Sequence, residues 1–267
     1  MIQSMAEHGF LTEAKKRAND LRANDREEGL CRIAIAIAMS GDMDAARAAA
    51  ETIGKRWHRD TVYYEIVPMQ IRAGDLAGAA DSIAKMENQV RRQLLELQLG
   101  PALAKAGDLR GARAAFDRVR EYARKSDKSS NYLLICDVGA NMLKLGLEQE
   151  AKQDFAQAAV YAGTLDLYAV AEAQFRAGDI QGARQNYERV WTELATCVAP
   201  GPRIDTPTDA YQTGWCCTRL SHSQARVGDR ENAIKHVRGL KDRCYLACGL
   251  LGLARGMDPN WVEPCVP

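Results

Sequence analysis

The chain has 267 residues, with 36 lysines and arginines against 35 aspartates and glutamates; 46% of it is hydrophobic but only 6% aromatic. A charge so evenly balanced argues against general electrostatic capture of nucleic acid or anionic lipid. No apolar run approaches the length of a membrane span, and the first residues lack the basic start and apolar core of a signal peptide.

In chain order, Ile2 to Glu7 reads as the last turns of a helix, His8-Gly9 as a hinge, and Thr12 to Leu21 as a second helix. The chain is thus expected to open in mid-repeat (1–23), with this end either a frayed cap, or preceded by a helix in a longer protein, or stacked on another molecule. Regular helix hairpins are expected over 24–197. Their first helices lie near 27–40, 58–73 and 91–106, their second helices near 42–54, 75–88 and 108–125, with further hairpins at 132–161 and 165–196. The polar stretch Arg124 to Asn131 reads as a longer turn. A proline-rich loop follows at 198–208, where Pro200, Gly201, Pro202 and Pro207 cannot continue a helix. The segment 209–267 supplies a last hairpin and a capping helix near 241–255.

One hinge recurs throughout. Glycines fall at 9, 41, 74, 107, 146, 178, 228 and, as the last expected hinge, 256, so the spacings begin 32, 33, 33. A period near 33 in an alanine-rich helical chain predicts stacked helical hairpins, an all-α solenoid in one domain. Glycine ends a helix in the left-handed conformation without a Cβ clash, and Asp42, Asp75, Asp108, Asp179 and Asp229, each next in sequence, can cap the following helix. Five residues after the hinge stands Ala14, Ala46, Ala79, Ala112, Ala151, Ala183 or Ala233. Nine after it stands Ile83, Phe116, Phe155, Tyr187 or Val237, with Ala50 in one repeat. Seven before it the residue is mostly small: Ala34, Gly100, Gly139, Ala171 or Ser221, with Val67 the exception.

These positions resemble the tetratricopeptide repeat, with Leu99-Gly100, Gly107, Ala112 and Phe116 the best match. The usual first-helix aromatic and the proline that closes each repeat are mostly absent. The resemblance covers nearly the whole chain and implies a right-handed superhelix of antiparallel hairpins, whose first helices line a concave groove that holds a peptide or helix of a partner protein. Residues ten before each hinge would point there, including Tyr64, Leu97 and Tyr168; Glu172 and His222, six before, would join them. Arg72, Lys105, Lys144, Arg176 and Arg226, each two before a hinge, would form a basic ladder along one rim that suits an acidic partner. The alternative is that each base only complements its helix dipole. Pro68 and Pro101 occupy equivalent interior positions and would free the carbonyls of Tyr64 and Leu97.

No phosphate loop, H-E-x-x-H or G-x-S-x-G motif is present, so a non-catalytic scaffold without cofactor is expected. Eight cysteines contain no C-x-x-C pair and six follow residue 196, namely Cys197, Cys216, Cys217, Cys244, Cys248 and Cys265. Reduced, buried thiols in a cytoplasmic protein are the expected state. Cys216 and Cys244 are expected to be neighbours on stacked helices. The competing reading is a regulatory or sensor module with metal or redox control at these cysteines.

Overall fold

The computed structural model describes residues 5, 10–126, 131–197 and 207–258, and these are all-helical, with no strand among them. The expected hinge at Gly9 and the proline-rich loop up to residue 206 lie outside the described residues. The chain divides into two compact units, 1–125 and 126–267. The division falls inside the stretch Arg124 to Asn131, which carries no apolar side chain.

In the first unit the helices are α1 (Leu11–Asn19), α2 (Ala23–Met39), α3 (Met43–Glu51), α4 (Arg56–Ala73), α5 (Leu76–Ala84), α6 (Gln89–Lys105) and α7 (Leu109–Lys125). Each of α2, α4 and α6 packs against the helix that follows it, and α2, α4 and α6 also pack on one another in sequence. In the second unit they are α8 (Asn131–Lys144), α9 (Glu148–Ala177), α10 (Ile180–Cys197), α11 (Pro207–Arg226), α12 (Arg230–Gly239) and α13 (Arg243–Met257). The helix α9 is two helices joined without a loop. Gly163, at φ 63° and ψ −177°, breaks it between the expected hairpins.

The hinge chemistry holds at six sites. Gly41, Gly74, Gly107, Gly146, Gly178 and Gly228 all have positive φ. Asp42, Asp75, Asp108 and Asp179 each accept the backbone N–H three residues on, at 2.7–3.1 Å. Gly256 is a correction: it lies inside α13, where a Cβ would come within 2.4 Å of the His222 carbonyl oxygen. It permits close approach of α13 to α11 rather than a turn.

The alanines five after each hinge, from Ala14 to Ala233, are all buried, as are Ile83, Phe116, Phe155, Tyr187 and Val237 nine after. Gly100 faces Phe116, whose ring would lie 2.6 Å from an added Cβ. Periodicity alone locates this core.

A second polar layer was not foreseen. Gln70, Gln174 and Gln224 each stand four before a hinge glycine and donate to the hinge aspartate, at 3.0, 2.7 and 2.8 Å. Their amide oxygens accept from Ser82, Asn186 and Trp191 respectively. All three glutamines are buried. A buried amide is tolerated only when bonded, and here the bonds tie each hinge to a neighbouring helix.

Candidate functional site

In the first unit, α4 and α6 present one face. Trp57, Thr61, Tyr64 and Pro68 recur at helical spacing along α4, and the Thr61 hydroxyl donates to the Trp57 carbonyl at 2.9 Å. From α6, the Arg91 guanidinium lies 5.3 Å over the Tyr64 ring and donates to Thr61 Oγ1 at 3.1 Å. Tyr64 is half-buried. Leu97 is not open: it is buried, and the exposed apolar side chains of α6 lie earlier, at Val90 and Leu94. Helices α4 and α6 continue through Pro68 and Pro101, both half-buried.

In the second unit a related arrangement joins the latter half of α9 to α11. Tyr168 accepts a hydrogen bond from Arg219, and burial holds its phenol above the ordinary range. Arg219 stacks 4.7 Å over the exposed Trp215. One turn beyond Tyr168, Glu172 pairs with Arg176 and accepts the Ser223 hydroxyl at 2.9 Å. Ser223 in turn bonds the buried Tyr187 hydroxyl at 2.9 Å. His222, half-buried, adjoins Ser223 on α11. The predicted residues Tyr168, Glu172, Arg176 and His222 are thus brought to one pair of helices.

Asp137 lies on α8. Its side chain is open to solvent, yet burial raises its carboxyl above the usual carboxylate range.

The five bases are all exposed, and divide as Arg72 and Lys105 in the first unit and Lys144, Arg176 and Arg226 in the second. The hinge aspartates do not neutralise them through the bonds that define the hinges. Asp42, Asp75, Asp108 and Asp179 cap helices, while Asp229 accepts from Gln224, Asn232 and Arg184.

No protein-family model matches the chain, and no curated protein matches it significantly. Its chemistry therefore rests on its own side chains. Among the described residues no cluster of three or more His, Cys, Asp or Glu could hold a metal ion, and no helix is long and apolar enough to cross a membrane.

The cysteines separate by environment. Cys31, Cys136, Cys216 and Cys217 are buried, Cys248 is half-buried and Cys244 is exposed. The α11 and α13 cysteines are brought together by the close approach of α13 to α11, where an added Cβ at Gly252 would lie 2.2 Å from the Thr218 carbonyl oxygen and one at Gly214 3.2 Å from Cys248 Sγ. Burial pushes the Cys31 thiol up to about 11 and the Cys136 and Cys217 thiols up to about 12. The thiolate is the reacting form, so these three should resist alkylation of the native protein at neutral pH. Iodoacetamide followed by peptide mass mapping should find Cys244 modified first, with Cys31, Cys136 and Cys217 modified only after denaturation. Rapid native modification of Cys217 would contradict its burial.

The sequence reading missed Arg91, Arg219, Trp57 and Trp215. A usable signal existed: thirteen residues before the hinges Gly107, Gly146 and Gly228 stand Leu94, Leu133 and Trp215, all exposed apolar side chains.

Proposed function

We propose that the chain is a non-catalytic protein-interaction module: a tetratricopeptide-like array of antiparallel hairpins with a period near 33, wound as a right-handed superhelix. Its first helices form a concave groove for a peptide or helix of a partner protein. The hinge spacing, the all-helical content and the packing of α2, α4 and α6 on one another support the architecture. One observation carries the functional reading. Tyr64 and Tyr168, both ten before a hinge, each engage an arginine of a later first helix beside exposed apolar side chains. Large apolar groups left in water beside organised polar ones mark binding surfaces.

Site-directed photocrosslinking tests this. Benzoylphenylalanine at Leu94 or Trp215, on first helices, should yield discrete protein adducts in extracts of the source cell. The same group at Ala114 or Gln153, exposed on second helices, should yield none. Equal adducts from all four positions, or adducts to RNA from the first pair, would overturn the reading.

A further inference from the structure

We propose that the α4–α6 face takes a linear acidic segment in which a carboxylate side chain stands beside a large apolar one. This rests on the docking reading above and names the chemistry of its ligand.

Arg91 carries the argument. Its guanidinium is half-buried and held by neutral groups, the Tyr64 ring and the Thr61 hydroxyl. Among the described residues it forms no ion pair, whereas neighbouring arginines do: Arg56 and Arg59 with Glu87, and Arg118 with Glu96. Stacking and a neutral acceptor fix an arginine without cancelling its charge. Thr61 uses one N–H at Nη1, which leaves other donors of the planar fork for a bidentate carboxylate.

The apolar half of the ligand follows from what surrounds this group. Trp57 is 63% exposed, Val90 42% and Leu94 37%. Trp57 lies one turn before Thr61 on α4, and Val90 and Leu94 lie on either side of Arg91 in α6. A wholly apolar occupant would desolvate the guanidinium without pairing it, which is unfavourable. A basic occupant would meet like charge. A segment with a carboxylate and an apolar side chain a residue or two apart satisfies both halves.

The test presents a random dodecapeptide library to the purified full-length chain. Enriched peptides should carry Asp or Glu within two positions of Leu, Ile, Phe or Trp. A synthetic representative should bind Arg91→Gln about tenfold more weakly, the size of one charge-assisted pair. Arg91→Glu should shift preference to the same peptide with Lys in place of its acid, which also shows that the variant is folded. Enriched peptides without acids, or unchanged affinity for Arg91→Gln while Leu94→Asp abolishes binding, would overturn this inference alone. Binding indifferent to Arg91→Gln, Leu94→Asp and Trp57→Ala together, or a library with no selective binder, would overturn the docking reading with it.

Discussion

Replacing Gly252 by alanine should destabilise the second unit by about 3 kcal/mol, the upper part of the range for overpacking a close contact. Helix α13 lies so close to α11 that a Cβ at this position would sit 2.1 Å from Ser221 Oγ and 2.2 Å from the Thr218 carbonyl oxygen. The second obstacle is backbone and cannot rotate away. Relief requires the helices to separate, and separation strains two bonds that cross between them. These are Ser221 Oγ to the Gly249 carbonyl at 2.9 Å and Thr218 Oγ1 to the Cys248 carbonyl at 3.1 Å. Gly239→Ala is the control, because no atom lies within 4 Å of its added Cβ. Urea titration followed by circular dichroism should show the large loss for Gly252→Ala and little change for Gly239→Ala. Equal behaviour of the two variants would mean that α13 is not seated as described.

Arg118→Met should cost the first unit about 3 kcal/mol. Glu96 sits on α6 with only 2% of its side chain exposed, and Arg118 of α7 meets it with two bonds, at 2.6 and 2.7 Å. Arg118 is itself 42% exposed, so the pair is asymmetric: the acid is buried and the base keeps contact with water. Removing the base strands a carboxylate, the expensive direction. The double variant Glu96→Leu/Arg118→Met should recover to within about 1 kcal/mol of the natural protein, because replacing both partners with apolar groups leaves no buried charge. A double-mutant cycle with a coupling below about 0.5 kcal/mol would show that the pair is screened like an ordinary surface ion pair.

The parts of the fold that recur were legible in the sequence. Ala112 and Phe116 are buried at offsets from Gly107 that also bury Ala79 and Ile83 after Gly74, so repetition itself exposed the core. Gly256 misled because a glycine needed for helix contact and one needed for a left-handed turn are the same letter. The candidate site was only half legible. Tyr64 and Tyr168 sit at a repeated position and could be named, but the arginines on them do not. Arg91 is sixteen before its hinge and Arg219 nine before, and the residues that correspond to Arg91 in the two preceding repeats are His58 and Asp25. A functional side chain used in one repeat and not its neighbours leaves no period to detect.

The glutamine layer bears on how such a chain can be recombined. Where the residue four before the hinge is Gln70 or Gln174, the residue eight after it is Ser82 or Asn186, and each pair is bonded. Where it is Ile37 or Leu103, the later residue is Ala49 or Ala115. The two positions lie on opposite arms of one hairpin. A crossover at the hinge would therefore splice a buried amide onto an alanine, or a serine onto an isoleucine, and leave one polar group without a partner. Intact hairpins should shuffle more freely than single helices. At these two hinges a breakpoint between hairpins would keep the bonded pair together, whereas Gln224 takes its bond from Trp191 of the preceding hairpin.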